Sequence, residues 1–239
     1  MASSSVAGVD GCKGAWLCVA LDATSTMSAF VAKDVQDLVE RLPSDCRIGI
    51  DIPIGLPATN SRQAELDARK VLGPRASSVF PVSLRVALDG ATREAASDLQ
   101  AAVHARRCRL SVQTWAIMPK IREMDSFLRA HRNLTKRVFE VHPEVSFCHW
   151  NGMQPLSASK KRAAGKLQRS ALIDTIWPEE RRRIETLLRT EFRGNWAMDD
   201  LYDAFAALWT AKRIVRGDAT AYPDTEATDA VGLPMRILA

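Results

Sequence analysis

The sequence predicts a mixed α/β fold: a five-stranded sheet whose first three strands form an antiparallel meander, with a large helical insertion between strands four and five. Three observations predict it. The chain opens on three short apolar runs separated by turn residues, and a fourth, alternating run follows one short helix. A long irregular stretch then precedes a fifth apolar run that closes on a proline.

Val6 to Val9, Trp16 to Leu21 and Met27 to Val31 are the three opening strands, separated by Gly11-Cys12-Lys13-Gly14 and by the polar turn Asp22 to Ser25. Val35, Leu38, Val39 and Leu42 recur at helical spacing before Pro43. Ile48, Ile50 and Ile52 then alternate along a fourth strand that stops at Pro53. Residues 53–135 form the insertion, with helices expected from Arg62 to Leu72, Arg93 to Arg107 and Lys120 to His131. Val138, Phe139 and Val141 make the fifth strand, ended by His142-Pro143 because proline cannot extend a central ladder. Helices follow from Ser159 to Ile176, Pro178 to Thr190 and Asp199 to Arg216, and the tail from Pro234 to Leu238 either returns as a strand or covers an edge.

With 239 residues the chain can bury a substantial core, and one domain spanning 1–239 is the expected organisation. A formal charge of +5, from 33 Lys and Arg against 28 Asp and Glu, permits a phosphate-rich partner without being a nucleic-acid signature. Five cysteines, odd in number and without metal-ligand spacing, fit reduced thiols better than a disulfide framework. The first apolar residues are already strand-like, and no apolar run reaches the roughly 18 residues of a membrane span. A cytoplasmic protein without membrane contact is expected.

Carboxylates mark the candidate site. Asp10 and Asp51 end apolar strands, and Asp199, Asp200 and Asp203 crowd the start of the last helix. On a helix these three lie within an arc of about 100°, opposite the apolar face of Leu201, Ala204, Phe205 and Leu208. Capping explains Asp199 well, since aspartate meets the free N–H groups of a first turn. It explains Asp203 poorly, because the interior of a helix has no cap to satisfy. For Asp10 the plain alternative is an Asp-Gly turn, whereas a charge inside Ile50-Asp51-Ile52 is costly without a partner.

The order of three meander strands, a helix, two further strands and a last helix bearing carboxylates is that of the ribonuclease H-like fold. In that fold the first and fourth strands are neighbours, so Asp10 and Asp51 would meet, with Asp200 or Asp203 delivered from the last helix. Carboxylates so close repel one another unless one is protonated or a hard divalent cation such as Mg²⁺ or Mn²⁺ sits between them. Two such ions would activate a water and stabilise the leaving oxygen of a phosphodiester.

The segments VAGVDGCKGAW, GIDIPIGLP, LDARKVLGPRASSVFP, QTWAIMPKIREMD, VFEVHPEVSF, LSASKK, DDLYDAFAALWTA and VGLPM resemble the DUF429 family of predicted ribonuclease H-like nucleases over nearly the whole chain. The resemblance implies a site built from Asp10, Asp51, Glu140 and the pair Asp200 and Asp203, with His142 and Glu144 close by. Glu140 and His142 share one face of the fifth strand, and His142 suits a general acid or base or a phosphate hydrogen bonder, with a strand-end histidine that orients Glu144 as the plain alternative. Lys13 sits in the first hairpin turn beside Asp10, and Arg62, Arg69, Arg75, Lys120, Lys160 and Lys161 fall in or near the irregular motifs, where they would hold phosphates. The metal ligands expected are Asp10, Asp51 and Asp203.

The expected activity is metal-dependent hydrolysis of phosphodiester bonds, with a nucleic acid or a nucleotide as partner. A phosphotransferase or nucleotide hydrolase of the related actin-like fold is the alternative, with Gly8 to Gly14 as its phosphate loop, although the chain lacks the usual second, duplicated domain. A non-catalytic module binding a metal or a partner protein is the third. Ser77 and Ser78 lack the surrounding glycines of a nucleophile elbow, which argues against a serine hydrolase. Cys12 beside Asp10 is either a reactive thiol or a small buried residue.

Overall fold

The computed structural model describes residues 4–239. Its main sheet comprises β1 (Val6–Cys12), β2 (Ala15–Leu21), β3 (Met27–Ala32), β4 (Arg47–Ile50) and β5 (Val138–Glu140), in the order β3-β2-β1-β4-β5. The meander is antiparallel, while β4 joins β1 and β5 joins β4 in parallel. Gly14 turns the first hairpin at φ +67°, a conformation that an L side chain resists.

Eight α-helices are present among the described residues: α1 (Val35–Glu40), α2 (Gln63–Leu72), α3 (Arg93–Val103), α4 (Val112–Ala130), α5 (Pro143–Trp150), α6 (Ala163–Asp174), α7 (Pro178–Glu191) and α8 (Met198–Arg216). Side chains alternate across the sheet, which sorts the core into two halves. Ala7, Val9, Trp16, Cys18, Ile48, Ile50 and Val138 pack on one face with Val35 and Leu38 of α1 and Ile121, Met124 and Leu128 of α4. Val6, Leu17 and Val19 pack on the other with Leu201, Ala204, Phe205 and Leu208 of α8, and with Ile184 and Leu188 of α7.

The second face carries two glycines where α8 crosses. A Cβ on Gly8 would lie 2.0 Å from the Ala204 carbonyl oxygen, and one on Gly49 would lie 2.7 Å from that of Ala207. The helix backbone therefore rests directly on β1 and β4. That close approach sets the position of every side chain on the first turns of α8.

Several boundaries depart from the sequence reading. α4 begins at Val112, not Lys120, and runs through Pro119. Proline forfeits one i→i−4 bond, yet Ser111 caps the helix and the buried residues Thr114, Met118, Ile121, Met124 and Leu128 hold it. α3 stops at Val103, four residues before Arg107, and α6 starts at Ala163 so that Ser159 to Lys161 form a loop. α5 was not expected at all. The tail returns as a strand: β6 (Ala221–Tyr222) pairs with β7 (Ile237–Leu238), and Leu238 bridges to Val141 beyond β5. No helix of the described residues is long and apolar enough to cross a membrane.

Candidate metal centre

Register brings the first two carboxylates together. Val9 pairs with Ile50 in the parallel ladder, so Asp10 and Asp51, one residue on, leave adjacent strands on the α8 face of the sheet. The Asp51 N–H still donates to the Val9 carbonyl at 2.9 Å, which keeps the two in step. Asp203, one turn into α8, comes down on the same spot. One carboxylate oxygen from each of Asp10, Asp51 and Asp203 lies within 4.8 Å of the others.

Two of these groups are scarcely wet, Asp203 at 1 % exposed and Asp10 at 8 %, and Asp51 is half-buried. Burial and the negative charges of Asp51 and Asp203 push the Asp10 carboxyl well above the usual carboxylate range. Asp51 is pushed up to about 8 by burial first and by Asp203 next. Asp203 is raised by burial, against the pull of Lys160. The Lys160 ammonium donates to Asp203 Oδ2 at 2.5 Å, and despite burial its pKa is raised by Asp203 and Asp10. One ammonium does not balance three carboxylates. Asp203 Oδ1 is buried and accepts no hydrogen bond, so an oxygen lone pair in the heart of the cluster has no partner. An all-oxygen donor set with an orphaned carboxylate oxygen fits a hard divalent cation, and the buried triad could hold one.

The triad opens into a cavity of about 530 Å³ whose walls include Arg75, Ser77, Phe80, Lys120, His142, Glu144, Lys160, Lys161 and Asp200. Lys120 donates to the Ala15 carbonyl at 2.5 Å with its ammonium over the Trp16 ring, 4.0 Å from the centroid. Burial lowers its pKa. His142 lines the same cavity with Nδ1 buried and unpartnered, and burial lowers its pKa below the ordinary histidine value, so the ring is neutral near pH 7.

Three expected site residues, Lys13, Arg62 and Arg69, are not among those lining the cavity, while Glu140 borders it with its carboxylate engaged away from the triad. Glu140 is in register with Ile50, so the two-residue period of the strand turns it to the face opposite Asp10 and Asp51. There Arg62 grips both of its oxygens, Nη2 to Oε1 at 2.6 Å and Nη1 to Oε2 at 2.8 Å, and the Ile54 N–H donates to Oε2 at 2.7 Å. Arg62 is correspondingly not a substrate-binding residue. Its remaining donors reach Glu65 and the Ile54 and Gly55 carbonyls, and nothing is left to face a ligand. Together with Asp229, which accepts from the Leu56 N–H at 2.9 Å, this buried pair fixes the loop Ile54-Gly55-Leu56 under the sheet. Lys13 is exposed at the hairpin turn and is not among the residues lining the cavity.

The N-cap of α8 is Ala197, and the acidic residue that satisfies it is Asp200 at the third helical position, not Asp199: Asp200 Oδ2 accepts from the Ala197 N–H at 2.8 Å while its side chain still borders the cavity. Burial raises the Asp200 carboxyl to about 6. Cys12 is buried with its thiol pushed up to about 11 by burial, which makes it an inert core residue. Sequence reasoning missed Arg169, fully buried on α6, whose guanidinium holds Glu144 Oε1 and so aims Glu144 into the cavity. No local signal marks it, because its partner lies on another helix.

A sequence profile described as "Protein of unknown function (DUF429)" matches residues 8–228. Neither a curated protein nor a solved structure matches the chain significantly. Because the profile covers nearly all of the sequence, including every residue of the triad, the chain belongs to the DUF429 family.

Proposed function

We propose that this protein is a metal-dependent nuclease of the ribonuclease H-like fold, with residues 4–239 acting as one domain. The observation that carries the reading is the convergence of Asp10, Asp51 and Asp203 from β1, the end of β4 and α8 on one buried point at the floor of a cavity rimmed by cations. The sheet order β3-β2-β1-β4-β5, with α8 laid across β1 and β4, supports the fold assignment. Asp10, Asp51 and Asp203 would hold Mg²⁺ or Mn²⁺. Such an ion, when bound, activates a water and neutralises charge on a phosphodiester.

The chain's own residues supply the rest. Burial of the triad excludes bulk water and keeps the electrostatics of the site strong. Lys160 balances part of the triad's charge in the free protein and lines the cavity, where it would pass from Asp203 to a phosphate oxygen. Arg75 and Lys120 flank the cavity where the neighbouring phosphate oxygens would lie. His142, neutral and with Nδ1 unpaired, can take a proton from water or return one to the leaving oxygen.

The test is cleavage of labelled single- and double-stranded RNA and DNA in Mg²⁺ and in Mn²⁺. Wild-type protein should cut in the presence of either ion and not in EDTA, and Asp10→Asn, Asp51→Asn and Asp203→Asn should each lower the rate by about 100-fold or more. Cleavage that survives all three substitutions would rule the triad out as the catalytic centre.

A further inference from the structure

A second cavity, of about 380 Å³, adjoins the first, and Pro81, Val82 and Thr114 belong to the walls of both. The shared wall is fixed rather than loose, since the Thr114 hydroxyl donates to the Pro81 carbonyl at 2.9 Å. The two hollows are therefore neighbours across one wall, the triad in the first half of the pair and an unassigned space in the second. Each half falls in the size range of a small-ligand site.

The second half has a composition of its own. Leu66, Leu84 and Leu110 supply apolar walls, and Arg106 and Arg109 stand at the rim with His104. Arg109 is engaged by Asp98 at 2.7 Å, whereas the Arg106 side chain has no polar partner among the described residues. Phe80, next to the shared wall, lines the first cavity and is 40 % exposed, an apolar ring that the fold leaves in water. The first turn of α4 also borders both halves, through Ser111 and Thr114 on one side and Gln113 and Thr114 on the other. A helix N-terminus adds a favourable field for an anion there.

We infer that the second cavity, together with Phe80 on the triad side of the shared wall, is a subsite for the nucleotides flanking the cut in single-stranded nucleic acid, with a base stacked on Phe80 and a phosphate held by Arg106. An aromatic face beside an apolar hollow with a free guanidinium at its rim matches the two halves of a nucleotide, the flat base and the charged backbone. A duplex keeps its bases stacked inside and offers the hollow only phosphates, so the unpaired strand is the complementary ligand. The inference rests on the reading of the triad as the place of the cleaved phosphate.

Its test is fluorescence anisotropy of labelled oligothymidylate and oligouridylate on the Asp51→Asn protein, in parallel with cleavage by proteins that retain Asp51. An oligomer of about ten nucleotides should bind about tenfold or more tightly than a dinucleotide or a blunt duplex of equal length. Phe80→Ala and Arg106→Ala, both at exposed positions, should each erase about tenfold of that advantage, and Arg106→Ala, outside the triad cavity, should leave dinucleotide binding unchanged. Equal affinities for long and short strands, or wild-type binding by both variants, overturn the subsite. The two readings fail separately. Metal-dependent cleavage with unaltered KM in Phe80→Ala and Arg106→Ala would sink the subsite and leave the nuclease standing. Absence of cleavage with Phe80-dependent strand binding would sink the nuclease and leave the strand site.

Discussion

Asp51 is a single carboxylate whose charge the fold makes expensive. Burial and the neighbouring Asp203 raise its pKa from 3.8 in the unfolded chain to about 8. Over that window the folded state binds more protons than the unfolded one, so this group's contribution to stability is present below about pH 4 and is lost as pH rises through about 8. Asp51→Asn removes the titration. In EDTA, the melting temperature of the variant minus that of wild type should therefore grow steadily as pH is raised between those limits. Parallel melting curves across the range would mean that the carboxylate is not under the strain described. Lys160 works in the opposite sense at the same point, because its ammonium on Asp203 Oδ2 offsets part of the repulsion that raises the triad.

At the scale of the element, the site depends on how closely α8 lies on the sheet. Gly49 shows this, since an added Cβ would meet the Ala207 carbonyl oxygen at 2.7 Å and Val141 Cγ2 at 3.1 Å. Backbone cannot swing aside as a flexible side chain can, so Gly49→Ala should lift α8 and cost about 1–3 kcal/mol in urea unfolding. Asp203 moves with the helix, so the same variant should also bind Mn²⁺ less tightly. A variant with wild-type stability would show that the helix has room to spare. What the sequence revealed of these elements follows from periodicity. The alternation of Ile48 and Ile50 and the apolar stripe of α8 are local patterns, and both are read correctly from the chain. α5 is buried on nearly every side, from Pro143 to Cys148, and a helix without a wet face has no period to read. Pro119 misplaced the start of α4 because tertiary packing outweighed the one hydrogen bond it removes. The family motif places Glu140 at the site and it does border the cavity, yet register with Ile50 turns its carboxylate to Arg62 and not to the triad, and register across parallel strands is not written in either strand alone.

Over the whole molecule, the triad is a tie between distant parts of the chain, with Asp10 near one end, Asp203 near the other and Asp51 on the strand between their contacts. The unfolded chain scatters these ligands, so an ion held by all three binds the folded state almost exclusively. Binding must then appear as global stability, by about 2.7 kcal/mol when free ion stands at about 100 times its Kd. For a chain of this length that corresponds to a rise in Tm of about 5–10 °C. Mn²⁺ titrated into wild-type protein should produce it, and Asp203→Asn should abolish most of it, because the substitution removes the ligand that α8 would contribute to the triad. Lys160→Met makes the argument sharper. It removes the resident ammonium from Asp203 Oδ2, so the metal-free protein should melt lower and the Mn²⁺-induced rise should set in at lower concentration. A rise of equal size in wild type and Asp203→Asn would place the ion elsewhere on the surface, and a Lys160→Met protein with unchanged Mn²⁺ dependence would show that lysine and metal do not compete for the same oxygen.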